Sequence, residues 1–195
     1  MKINSFEQAI SSDEIRALPL SSFEGEIIVI DHPDSVAEAV AMLKGYDVLG
    51  FDTETKPAFK KGVINEVALL QLSTNEKAFI FRLNRIGLPS PLAALLAKKE
   101  ILKIGAAIRD DIKSLQRLRR FVPAGFVELQ DMVKDYDITD CGLRKLAGIV
   151  LGIQISKSQQ VSNWEKEELT PAQLVYAATD AWVCHEIYRQ LMAVR

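Results

Sequence analysis

The stretch VLGFDTETK, residues 48–56, constrains this chain more than any other. Its apolar residues read as a strand set into a sheet, yet it carries two acids, Asp52 and Glu54, two positions apart. Alternation along a strand puts Val48, Gly50, Asp52 and Glu54 on one face and Leu49 and Phe51 on the other. Two carboxylates on one half-buried face repel each other and lose hydration. Buried charges persist only when paired with opposite charge or bound to a metal ion. Any fold for this chain must bring a neutralising group to that face.

The elements around this strand fix what could supply one. EIIVID (26–31) reads as a first strand, and DSVAEAVAMLKG (34–45) as a helix with an N-cap near Asp34 and a stop at Gly45. EVALLQLST (66–74) is almost continuously apolar, as in a strand covered on both faces. KAFIFRL (77–83) alternates and pairs with it through the turn Thr74-Asn75-Glu76. LPSPLAALLAKK reads as a helix, ILKIGA (101–106) as a short strand ending at Gly105, and Ile108–Arg120 as a helix. DMVKDY and GLRKLAGIVLG are helical, with Gly152 as C-cap. The last helix spans 169–192, with Thr170 as N-cap and Pro171 at its first position. Strands dominate the first half and helices the second. The fold class is mixed α/β with a central sheet.

Helical angle, at about 100° per residue, locates two more inward acids. On the helix from Ile108, the arc of Ile108, Ile112, Leu115 and Leu118 contains Asp111, while Asp110 lies opposite with Lys113 and Arg117. On the last helix Tyr176, Asp180, Val183, Ile187 and Leu191 share a face, and His185 and Arg189 fall on the polar side. Any one of Asp52, Glu54, Asp111 and Asp180 could cap a helix or accept backbone N–H groups. Four inward acids with no matching inward Lys or Arg instead invite a divalent cation. All-oxygen ligands suit magnesium or manganese rather than zinc.

Composition narrows the setting. At 195 residues the chain is long enough for one sizeable core, and 48 % apolar with 26 % charged residues is ordinary for a globular protein. The net charge of -2 excludes a globally basic nucleic-acid binder, so such binding would use local patches. Cys141 and Cys184 fit neither a disulfide framework nor a zinc spacing and read as small core residues. No segment resembles a signal peptide or a membrane span. These features lead to the expectation of an intracellular, cytoplasmic protein.

FDTET, KIGAAIRDDIKSL and YAATDA resemble the three motifs of the DEDD superfamily of 3'-5' exonucleases in its tyrosine-containing branch. Within that branch the chain is most similar to the group of the Werner-type helicase exonuclease domain and ribonuclease D, with which EVALLQLS and SNW (162–164) also agree. The likeness covers about residues 26 to 193, which divides the chain into a lead-in over 1–25 and a nuclease domain over 26–195. Nothing matches a helicase core, so the domain reads as a stand-alone nuclease. The resemblance implies a ribonuclease H-like fold and two Mg²⁺ or Mn²⁺ ions held by the four acids. In it, Asp52 bridges both ions, Glu54 and Asp180 hold the one that binds the attacking water, and Asp111 helps hold the other. Tyr176 orients that water with Glu54. Two ions about 3.5–4 Å apart stabilise the attacking and leaving oxygens of an in-line displacement at phosphorus. The implied partner is a nucleic-acid strand, DNA or RNA, with a free 3' end, and the products are nucleoside 5'-monophosphates.

Lys56, Lys60 and Lys61 follow the first motif and could contact substrate phosphates or form a solvated loop. Phe59 could stack a terminal base, and Thr53 could contact the terminal nucleotide by its backbone or hydroxyl. Trp164 reads as core. Arg109, Lys113, Arg117 and Arg120 read as a plain charged surface. The alternative to an exonuclease is a non-catalytic nucleic-acid-binding module of the same fold, marked by loss of an acid or the tyrosine, and none is lost. A phosphatase reading, from the echo of a D-x-D-x-T loop in FDTET, has Glu in place of the second Asp and leaves Tyr176 and Asp180 unexplained.

Overall fold

The acid-bearing segment becomes an interior strand. In a computed structural model, which describes residues 6–58, 62 and 65–195, the strands are β1 (Glu26–Ile30), β2 (Val48–Thr55), β3 (Val67–Ser73), β4 (Lys77–Phe81), β5 (Leu102–Gly105) and β6 (Phe126–Glu128). They form one mixed sheet in the order β1-β4-β3-β2-β5-β6. The β2–β3 and β3–β4 pairs are antiparallel, and the other three are parallel. Every residue of β3 is buried, which is why its sequence is nearly all apolar rather than alternating.

Among the described residues eight α-helices flank the sheet: α1 (Ser12–Ala17), α2 (Val36–Leu43), α3 (Leu83–Ile86), α4 (Ser90–Leu96), α5 (Arg109–Leu118), α6 (Leu129–Met132), α7 (Leu143–Leu146) and α8 (Pro171–Ala193). Leu49 and Phe51 of β2 point into a core made with Val40 and Leu43 of α2, Leu92 and Leu96 of α4, and Leu115 of α5. The opposite face carries α8, whose Ala177 and Ala178 pack over β3 and β4 with Trp164, and whose Val183 and Ile187 pack over β5. The sheet is therefore covered on both sides, and β2 runs between the two layers. No helix among the described residues is long and apolar enough to cross a membrane.

Helix ends follow local chemistry. At α8 the Thr170 hydroxyl accepts the Gln173 N–H at 3.3 Å, and Gln173 Oε1 accepts the Thr170 N–H at 3.0 Å. Gly152, at φ +67, ends a π-helical extension of α7 over Ala147–Leu151. The helix expected from Asp34 starts as a 3₁₀ turn, Pro33–Ser35, where the His32 ring accepts the Asp34 N–H at 3.4 Å. β6 was not foreseen: three residues are too few to show a period. Residues 6–25 dock on the rest through buried Ile15 and Phe23, and the Phe23 N–H donates to Thr179 Oγ1 at 2.9 Å. Cys184 is buried as expected, but Cys141 is exposed because it lies in the turn before α7.

Candidate active site

The acids are positioned by three elements. On β2, alternation puts Asp52 and Glu54 on the face that also carries Gly50, and a register irregularity between Glu54 and Thr55 ends the regular ladder beside them. On α8, Asp180 is buried one turn after Tyr176. One oxygen from each of Asp52, Glu54 and Asp180 lies within 4.8 Å of the others. This closeness depends on Gly50. A Cβ there would stand 1.8 Å from the carbonyl oxygen of Ala181, so only glycine lets the α8 backbone rest on β2 at this point.

Asp111 arrives from the other face. It occupies the inward side of α5 with Leu115, while Asp110 is exposed and paired with Lys113 at 3.0 Å, as the angle test predicts. Asp111 does not belong to the tight group of three. Its Oδ1 accepts the Thr53 hydroxyl at 2.5 Å, across the edge of β2. Entry into α5 is strained, with Ala107 at φ +61, and Glu128 at the end of β6 holds that turn. Its two carboxylate oxygens accept the N–H groups of Ala107 at 2.8 Å and Ile108 at 2.9 Å. Sequence reasoning missed Glu128, whose only signal was an acid in a strand too short to recognise.

Electrostatics at the cluster are unfavourable without a cation. Burial first, then the charges of Asp180, Glu54 and Asp111, push Asp52 well above the usual carboxylate range. Burial, then Asp180 and Asp111, raise Glu54 to about 9. Burial raises Asp180 to about 7, against the opposing effect of the Tyr176 hydroxyl beside it. Asp111 is raised by burial, with its Thr53 hydrogen bond acting the other way. Burial and then the Asp180 and Glu54 charges push the Tyr176 phenol far up, so it keeps its proton. Among the described residues no Lys or Arg offsets these raising effects. Three clustered oxygen donors of one sign are a fitting set for a hard divalent cation.

The remaining sequence expectations sort by position. Trp164 is fully buried and tilts against the Tyr176 ring at 5.9 Å between centroids. Lys56 pairs with Glu165 at 3.0 Å. The Thr53 hydroxyl is committed to Asp111. Phe59, Lys60 and Lys61 lie outside the described residues. His185 is buried, not solvated as expected, with Nδ1 2.9 Å from Glu186 Oε1. A one-face test fails there because α8 is covered around most of its girth. A cavity of about 400 Å³ opens beside Tyr176 and Asp180 and is lined by Arg144, Lys145 and Lys157. These cations were not foreseen, because only the fold brings 144–157 next to α8.

A family model described as 3'-5' exonuclease matches residues 27–194. The mouse bifunctional 3'-5' exonuclease/ATP-dependent helicase WRN is 34 % identical over 186 residues, covering 89 % of this chain and 13 % of the relative. The chain thus spans a small part of that much longer protein. The Aedes aegypti Nibbler EXO domain superposes with a TM-score of 0.79 at 25 % identity, covering 89 % of this chain and 92 % of the other. Trypanosoma brucei RNase D, solved in complex with RNA U12, has a TM-score of 0.75 at 20 % identity over 87 % of this chain and 63 % of the other, a likeness of fold. With its ribonuclease H-like fold, the chain belongs to the 3'-5' exonuclease family of the DEDD superfamily.

Proposed function

We propose that this chain hydrolyses phosphodiester bonds from the free 3' end of a nucleic-acid strand, with Mg²⁺ or Mn²⁺ as cofactor, and releases nucleoside 5'-monophosphates. The observation that carries this reading is the meeting of Asp52, Glu54 and Asp180 within 4.8 Å beside a protonated Tyr176. Membership of the exonuclease family supports it.

Asp52, Glu54 and Asp180 would hold the cations, with Asp111 completing the set from the α5 side. Divalent cations in such a site supply Lewis-acid stabilisation of the charge that builds on the phosphoryl oxygens. The rest is done by the chain. Glu54 and the Tyr176 hydroxyl, near enough for the charge of one to act on the other, would orient the attacking water by accepting and donating hydrogen bonds. Thr53 fixes Asp111 through its hydroxyl. Arg144 and Lys157 line the adjoining cavity, where they offer positive charge to the phosphates of the strand, while Lys145 beside them is held by Asp140 at 2.6 Å. Lys56 reaches substrate only by leaving Glu165.

A matched panel of single-stranded DNA, recessed-duplex DNA and RNA, each with Mg²⁺ or Mn²⁺, tests this reading. Shortening of at least one substrate, abolished by chelator and by Asp52→Ala, is the expected result. Binding of every substrate with no shortening under any metal condition would instead favour a binding module.

A further inference from the structure

Gln71 stands out on β3, where its neighbours Leu69, Leu70 and Leu72 are apolar. It is fully buried, and neither Nε2 nor Oε1 has a hydrogen-bond partner among the described residues. Buried amides are almost always paired, and an unpaired one opposes folding. Leucine or methionine would fill the same space without that cost. Gln71 is also placed in register with Asp52, its direct partner across the β2–β3 ladder. Directly opposed residues of an antiparallel pair share a face, with Cβ atoms about 4.5–5.5 Å apart. The orphaned amide therefore lies next to the most crowded carboxylate of the cluster.

We propose that Gln71 is a positioning residue for Asp52: its Nε2 donates to that carboxylate when the acid turns to hold a divalent cation. This rests on the metal-dependent reading of the cluster. A donor fixed on one carboxylate oxygen sets the plane of the group and leaves the other lone pairs for the cation, as outer partners of metal ligands commonly do. The other half of the amide has a complement as well. The Trp164 indole Nε1–H is buried without an acceptor among the described residues, in the cluster that includes Ile80, the neighbour of Gln71 on β4. Gln71 Oε1 can thus accept on the β4 side while Nε2 donates on the β2 side. The amide couples the Tyr176–Trp164 layer to Asp52.

The test compares Gln71→Met and Gln71→Leu with the parent protein by three readouts. These are the melting temperature in chelator, the Mn²⁺ dissociation constant by calorimetry, and kcat and KM on a strand that the parent degrades. The expected result is an unchanged or higher melting temperature in chelator, Mn²⁺ binding weaker by roughly tenfold, and a lower kcat at unchanged KM. Excess Mn²⁺ should restore part of that kcat. A lower melting temperature in both variants with Mn²⁺ affinity unchanged would overturn the proposal and leave a structural amide bridged by buried water. So would variants indistinguishable from the parent in every readout. Mn²⁺ affinity is read without substrate, so a parent that binds Mn²⁺ but degrades nothing would refute the hydrolytic reading while the Gln71 inference was still decided.

Discussion

Asp180 and Glu54 are acids that the fold holds at about 7 and about 9. In an unfolded chain both titrate near pH 4. The folded form, with divalent cations chelated, therefore holds protons that the unfolded form releases over this interval. Their contribution to stability is fully present below about pH 4 and is lost as pH rises through 7 and then 9. Melting temperature measured in chelator should fall from pH 5 to pH 9, and Asp180→Asn should flatten that fall and raise the value at pH 8. A parent whose stability rises over this interval would contradict the charge arrangement. Tyr176→Phe keeps the ring that packs on Trp164 and removes only the hydroxyl. It should slow hydrolysis by about 10²-fold, the scale of one lost positioning hydrogen bond, with Mn²⁺ affinity kept. Loss of Mn²⁺ binding in that variant would count against a water-orienting role.

At the scale of elements, the site is set by how close α8 comes to β2. The small side chains of Ala177, Ala178 and Ala181 and the bare Cα of Gly50 allow the approach. Gly50→Ala should destabilise the protein by about 3 kcal/mol, the upper end for overpacking, and should abolish hydrolysis by moving Asp180 away from Asp52. Chemical denaturation and a strand-degradation assay check the two effects, and full activity with an unchanged midpoint would refute the contact. These elements also show what the sequence disclosed. Asp111 and Asp180 were legible because each sits on an apolar stripe, and periodicity places a stripe without knowledge of its partner. His185 misled the same test, since α8 is enclosed on more than one side. The Thr53–Asp111 and Glu128–Ile108 bonds were not legible. They join segments 58 and 20 residues apart, and nothing local to Thr53 or Glu128 marks them.

Across the whole molecule, β2 lies in the interior of a sheet covered on both faces, and its acid-bearing end collects one helix from each layer. Asp180 comes from one layer and Asp111 from the other. The cation set is thus assembled only when both layers are folded onto the sheet. Metal binding should stabilise the entire fold rather than one element. Mn²⁺ at 100 times its dissociation constant should add about 2.7 kcal/mol, which for a domain of this size raises the melting temperature by about 5–10 °C. Asp52→Asn should remove that rise. A rise of equal size in Asp52→Asn would place the cation elsewhere.

Cleavage at the Asp52–Glu54–Asp180 cluster should have 3'-to-5' polarity and depend on a divalent cation. Its most direct measurement is a time course on one strand labelled at the 5' end and, separately, at the 3' end, with Mg²⁺ or Mn²⁺, for the parent and for Asp180→Asn. The expected result is a ladder that shortens one nucleotide at a time from the 5'-labelled strand. The 3'-labelled strand should release a labelled nucleoside 5'-monophosphate at once, and Asp180→Asn, like the parent in chelator, should give no product. Internal cuts, release from the 5' end first, or full activity in Asp180→Asn would contradict this reading.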